Sequence, residues 1–373
     1  MTKKNPIACV VGARPNYMKM SPIIRAFQKR SISSLLVHTG QHYDPEMNDR
    51  LFADLDLPRP HLNLEVGSAT HAIQTAEIMR RFEPVLDEHE PSAVLVVGDV
   101  NSTIACSLVA VKKHIPVIHV EAGLRSFDRS MPEEINRVLT DQIADLLYTT
   151  ERSAQLNLAK EGIDESRVHF VGNVMIDSLF AARSNAVPPA ETLRRSGINP
   201  DFIKSPRGYG VVTLHRPSNV DDPEVLRQLL TTLNMVAERL PLLFAAHPRT
   251  RKNIEKFGQV SLLTSRIQML PPQGYLEMLG LMVDATVVLT DSGGMQEETT
   301  ALSVPCLTLR ENTERPITID QGTNSLVGQH REMILENVDQ ILATGGKRGR
   351  VPELWDGRAA ERIASHLQNW LDR

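Results

Sequence analysis

The sequence predicts an α/β chain built from two doubly wound parallel-sheet domains, and three observations carry that prediction. Short runs rich in Val, Leu and Ile alternate with longer amphipathic stretches, the pattern of parallel strands covered by helices on both faces. The alternation lapses over residues 184–206, where prolines and polar residues predict a linker region, and then starts again. The length of 373 residues fits two domains at roughly 100–200 residues each.

In chain order, the first half offers strands at Ile7–Val11, Leu35–Thr39, Ala93–Val97, Val117–Val120 and Leu146–Thr150, with helical stretches such as Ala72–Leu86 and Thr103–Lys113 between them. The second half offers strands at Tyr209–Leu214, Leu242–Ala246, Ala285–Thr290 and Cys306–Leu309, and a helix over Pro223–Arg239. Gly357–Leu371 reads as a closing amphipathic helix that carries Trp370. The domains expected are residues 1–183, residues 184–355 and a C-terminal helix within 356–373. Two such sheets facing each other across a cleft would bind ligand beyond the carboxyl ends of their strands.

Composition narrows the partners. A net charge of −4 lacks the basic surface that nucleic acid or an anionic membrane requires. No apolar run approaches the ~18 residues of a membrane span. The N-terminus, MTKKNPIACVV, runs directly into a strand without a signal-peptide pattern. Cys9, Cys106 and Cys306 are too few and too scattered for a disulfide framework or a metal knuckle, which fits a cytoplasmic protein.

The strand ends hold the chemistry. The first turn, VVGARPNYMKM, presents Arg14 and Lys19 where a dinucleotide fold would place bare glycines, so it is expected to bind an anion by charge. Asp99, Glu121, Glu133 with Glu134, and His215 follow or end predicted strands. A lone carboxylate at a helix start is usually a cap, and a lone histidine is usually structural. Several such groups at one sheet edge suggest proton transfer instead. After Val287–Thr290, the run DSGGMQEE places Ser292, Gly293 and Gly294 at a helix start, where backbone N–H groups and the helix dipole favour a phosphate. Glu298 in that helix suits ribose hydroxyls, and Arg310 and Arg315 could grip a phosphate. There is no GxGxxG, GxxxxGK[ST] or GxSxG run and no His/Cys cluster at ligand spacing, so nicotinamide, P-loop and zinc chemistry lose ground.

Together the runs GARPNYMKM, TGQHYDPEM, GDVNST, HVEAGLRS, MPEEINR, TLHRP, HPRTR, TDSGGMQEE and ENTERP resemble, in order, the signatures of the non-hydrolysing UDP-N-acetylglucosamine 2-epimerases. The resemblance covers residue 10 to about 330 and implies the GT-B architecture of two Rossmann-like domains, with the C-terminal helix crossing back to the first. It also implies interconversion of UDP-N-acetylglucosamine and UDP-N-acetylmannosamine by loss and re-addition of UDP through 2-acetamidoglucal, without cofactor or metal. The C2 proton is not next to a carbonyl, which is why the C1–O bond breaks first. By motif match, Asp99, Glu121 and Glu133 are the acid/base and charge-stabilising groups and His215 is a partner beside the phosphates. Arg14 and Lys19 contact the nucleotide sugar, and Gln273 and Met278 line the uracil pocket. Ser292, Gly293 and Gly294 hold phosphate, Glu298 holds the ribose, and Arg315 lies on the diphosphate side. A homodimer is the expected assembly.

The chain departs from many bacterial members at Asn16, where they carry glutamate, and at Pro217 and Ser218, where they carry RE. Activation by substrate is therefore not expected. Met278 stands where some relatives have an aromatic residue. The competing readings are a UDP-2,3-diacetamido-glucuronate 2-epimerase, a hydrolysing epimerase, a GT-B glycosyltransferase and a non-catalytic nucleotide-sugar sensor.

Overall fold

A computed structural model describes residues 5–41, 54–55 and 57–371, apart from the side chain of Arg14. The chain divides into two compact units, Met1–Ala181 with Glu353–Arg373, and Ala182–Pro352. Among the described residues no helix is long and apolar enough to cross a membrane.

The first unit holds a seven-stranded parallel sheet in the order β3-β2-β1-β4-β5-β6-β7. Its strands are β1 Ile7–Val11, β2 Ser34–His38, β3 Leu62–Asn63, β4 Ala93–Val97, β5 Val117–Ala122, β6 Leu146–Thr149 and β7 Val168–Phe170. β1 and β4 are buried throughout, as near-continuous runs of branched apolar residues require when helices cover both faces. The second unit holds a six-stranded parallel sheet ordered β10-β9-β8-β11-β12-β13. These strands are β8 Gly210–Thr213, β9 Leu242–Ala245, β10 Ile267–Leu270, β11 Val287–Thr290, β12 Cys306–Thr308 and β13 Asn324–Leu326.

Strand order reverses between β1 and β4 in one sheet and between β8 and β11 in the other. These are the positions where doubly wound sheets open a crevice for ligand. Every expected strand forms, with ends shifted by two residues or fewer. The four strands that periodicity did not reveal, β3, β7, β10 and β13, are the four sheet edges. An edge strand is short and half exposed, so its composition lacks the apolar run that marks a central strand.

The stretch expected as a linker is folded. Pro189–Arg195 is a helix with Leu193 buried, and prolines stand at and just before its start, where a missing N–H costs nothing. The Val187 carbonyl packs against the helix Tyr275–Val283 where Gly280 leaves no room for a Cβ.

The C-terminal helix, Ala359–Leu371, belongs to the first unit and packs on the helix Arg14–Lys29. Asp177 caps it from a distance, accepting the amides of Ala359 at 3.1 Å and Ala360 at 2.7 Å. Just before it, the buried Trp355 donates its indole N–H to the Thr150 carbonyl at 3.1 Å. Burial pushes the Asp177 carboxyl up to about 6, outweighing the two amides that favour its charge. The native state therefore keeps a proton that the unfolded chain releases near pH 4, and stability is lost as pH rises from about 4 to 6. In urea unfolding at a series of pH values, an Asp177→Asn variant should lack that loss, which amounts to up to about 3 kcal/mol across the window.

Candidate active site

The switch point of the first sheet is assembled from the turns after β1, β4 and β5. In the β1 turn, Asn16 is buried and its Oδ1 accepts the amides of Gly12 at 3.2 Å and Ala13 at 3.0 Å. Its Nδ2 donates to the Val97 carbonyl at 3.0 Å, which ties this turn to the end of β4. The backbone N–H groups that a glycine-rich loop would offer a phosphate are thus used internally by this chain's asparagine.

Glu121 sits on a β-bulge. The β5–β6 register slips between Val120 and Ala122, and Glu121 itself has φ of +71°. A non-glycine residue in that region costs about 1–3 kcal/mol and persists where the surroundings hold it. Bulges re-aim side chains beside functional sites. Here the re-aimed carboxylate meets Lys19, whose ammonium lies 2.7 Å from Oε1 and 2.6 Å from Oε2. Both residues are buried. Lys19, expected to contact the nucleotide sugar, is the counter-ion of Glu121. Removing one member of such a pair leaves an uncompensated buried charge, at a cost of about 3–5 kcal/mol.

Asp99 follows β4 and is not a cap, since the next helix starts at Asn101 with Val100 in the capping position. Its Oδ2 accepts Arg137 Nη2 at 2.7 Å and Nε at 2.9 Å. The same guanidinium binds Glu134 Oε2 through Nη1. Glu134 is the structural half of the acidic pair that opens the helix Pro132–Ile143. It accepts Ser126 N and Phe127 N, each at 2.9 Å. Burial would raise its carboxyl, but those amides and Arg137 hold it below the usual range. Glu133 is half-buried and takes no part in these bonds, so the pair divides into a fixed and an available carboxylate.

In the second unit, Asp291 follows β11 and is fully buried. It accepts the amides of His215 and Arg216, Asn219 Nδ2 at 3.0 Å and His215 Nδ1 at 2.9 Å. Burial would raise its carboxyl, but the bonds from His215 and these amides hold it below the ordinary range. With Nδ1 engaged, the partly exposed His215 ring keeps Nε2 for a ligand.

Ser292, Gly293 and Gly294 open the helix Gly293–Leu302, and the Ser292 side chain makes no capping hydrogen bond among the described residues, while its amide donates to the Thr290 hydroxyl at 3.0 Å. A Cβ at Gly293 would come within 2.6 Å of both Arg315 Nη1 and Glu314 Oε1, so only glycine lets this group pack there. Arg315 pairs with Glu297 at 3.0 Å and with Glu314. Arg310 donates to Glu314 at 2.9 Å. Three arginines, 216, 310 and 315, thus approach Glu314. Among the described residues Arg310 Nη1 and Arg216 Nε are buried donors without a protein acceptor. Glu298 is buried in the second turn of the same helix. Gln273 turns its amide onto the Pro271 carbonyl at 2.7 Å, and Met278 is half-buried on the helix Tyr275–Val283. The side chain of Arg14 and residues 42–47 of the TGQHYDPEM run lie outside the described residues. Sequence reasoning assigned no role to Arg137 or Asp291, since no spacing rule links a helix arginine to a strand end 38 positions earlier.

The family model for UDP-N-acetylglucosamine 2-epimerase matches residues 25–368. A UDP-N-acetylglucosamine 2-epimerase of Methanocaldococcus jannaschii is 42% identical over 97% of this chain and 98% of its own. A UDP-2,3-diacetamido-2,3-dideoxy-D-glucuronate 2-epimerase of Pseudomonas aeruginosa is 39% identical over 97% of this chain and 99% of its own. The crystal structure of the M. jannaschii UDP-GlcNAc 2-epimerase in complex with UDP-GlcNAc and UDP superimposes with a TM-score of 0.86, at 40% identity, covering 98% of this chain and 99% of that one. The chain belongs to the UDP-N-acetylglucosamine 2-epimerase family.

Proposed function

We propose that this protein interconverts UDP-N-acetylglucosamine and UDP-N-acetylmannosamine by eliminating UDP to 2-acetamidoglucal and adding it back. The observation that carries the reading is the pair of ion-paired carboxylates at one sheet edge, Asp99 with Arg137 and Glu121 with Lys19, in a chain of this family. Inversion at C2 demands a proton taken from one face and returned to the other, so two carboxylates with different partners suit the task better than one. Glu133 is the third acid of the set. In the second unit, the open helix start at Ser292–Gly294, the unpaired donors of Arg310 and Arg216 and the Nε2 of His215 stabilise the charge that develops on the departing diphosphate. Glu298 holds the ribose, Gln273 and Met278 line the uracil pocket, and Arg14 and Arg315 complete the diphosphate contacts. Neither metal nor nicotinamide takes part.

We place the enzyme in the cytoplasm as a homodimer that supplies ManNAc-type sugars for surface polysaccharide. Three buried free cysteines suit a reducing compartment, and Ile135 and Leu139, exposed one turn apart on one helix, offer apolar surface for self-association. Light scattering on the purified protein tests the dimer. The similar identity to the P. aeruginosa diacetamido-uronate enzyme supports that sugar as a second reading.

Proton NMR of UDP-GlcNAc with the protein in D2O should show the manno epimer growing in, with deuterium at C2 of both sugars. No change with UDP-GlcNAc but epimerisation of the diacetamido-uronate would select the second reading. Asp99→Asn, Glu121→Gln and His215→Asn should each lower kcat by about 10²–10⁴ while keeping UDP binding. Joint loss of binding and turnover would make those residues structural. Gly293→Ala should weaken UDP binding at least tenfold by calorimetry, because the new methyl displaces Arg315 and Glu314. Unchanged affinity would place the diphosphate elsewhere.

A further inference from the structure

The acidic edge of the first sheet is tied together by a side chain that belongs to none of the sets above. His119 lies on β5 and is fully buried. Its Nδ1 is 2.6 Å from Asp141 Oδ1 and its Nε2 is 2.8 Å from the Gly98 carbonyl oxygen. With Asp141 ionised both neighbours are acceptors, and each ring nitrogen lies at donating distance from one of them. The second oxygen of Asp141 accepts the Gly123 amide at 3.0 Å and Arg125 Nη2 at 2.7 Å. Arg125 also pairs with Glu161 at 2.7 Å.

These bonds bracket both acidic turns. Gly98, whose carbonyl His119 holds, directly precedes Asp99. Gly123, held through Asp141, lies two residues beyond Glu121. Gly98, Glu121 and Gly123 all have positive φ, at +68°, +71° and +79°. Glu121 bears the strain of that conformation and needs its neighbours fixed to keep it. His119 thus grips the backbone on one side of each carboxylate, without being placed to touch a sugar itself.

We infer that His119 is a positioning residue, aiming Asp99 through the Gly98 carbonyl and Glu121 through Asp141 and the Gly123 amide. The inference rests on the acid–base reading of Asp99 and Glu121 given above. A neutral ring would set a lone pair against one of its two acceptors. Glutamine at position 119 would do the same, with one donor end and one oxygen.

His119→Gln should lower kcat about 10²-fold, the scale of a misplacement of about 1 Å. KM for UDP-GlcNAc and the Kd of UDP should stay within about twofold, because His119 touches none of the groups proposed to hold the nucleotide. Asp141→Asn should give a similar fall, and the double variant should fall no further, as for residues that act as one unit. Nitrogen-15 NMR of histidine-labelled wild-type protein should show one ring with protons on both nitrogens, absent in Asp141→Asn. That spectrum decides the matter if His119→Gln melts below the assay temperature. A neutral ring at 119, an unchanged kcat in His119→Gln, or kcat and UDP affinity falling together would each overturn the proposal. If instead the wild-type enzyme epimerised no UDP-sugar, the functional reading would fail while the spectrum still reported on the His119 tie.

Discussion

A carboxylate taken out of water must be met by a cation or by several N–H groups, and the carboxyl edges of both sheets are organised around that requirement. The effective penalty is several kcal/mol for each buried ion. Glu121 is met by Lys19, Asp141 by His119 and Arg125, and one guanidinium, Arg137, serves Asp99 and Glu134 together. Glu121 and Asp99 lie at strand ends and take their cations from other elements, whereas Glu134 shares both the helix Pro132–Ile143 and the guanidinium of Arg137. Folding the sheet and setting the charges of the site are therefore one event, and the strained backbone at Glu121 survives because ion pairs on both sides fix it.

The second unit answers the same requirement with different groups. Asp291 is satisfied mainly by amides and by His215, which leaves that imidazole oriented. Three arginines gather on Glu314, and Glu297 takes part of the surplus charge. Arg310 Nη1 and Arg216 Nε remain as buried donors beside the helix start at Ser292 among the described residues. The first unit thus holds groups that can exchange protons, and the second holds donors suited to a diphosphate.

Much of this was legible in the sequence. The central strands announced themselves as apolar runs, and the residues after them named Asp99, Glu121, His215 and Ser292–Gly294 as site candidates. The edge strands were hidden because two to four half-exposed residues carry no period. The supposed linker was misjudged because Pro188 and Pro189 open a helix there rather than break one. The pairing of Lys19 with Glu121 was not legible, since its partner is 102 positions away. Asn16, to which no role had been assigned, accepts the β1-turn amides of Gly12 and Ala13. Side-chain pairing across strands is long-range information, and local patterns do not contain it.

The central claim is that the bond from C1 to the diphosphate breaks and re-forms during each turnover, with the carboxylates of the first unit handling the C2 proton. Positional isotope exchange tests it most directly. UDP-GlcNAc carrying oxygen-18 in the bridge between C1 and the β-phosphorus is incubated with the enzyme, and phosphorus-31 NMR follows the label. The account predicts that the label scrambles into the non-bridging β-phosphoryl oxygens at least as fast as the manno epimer appears. Epimerisation with the label retained wholly in the bridge, and with no 2-acetamidoglucal and UDP detectable on prolonged incubation, would contradict it.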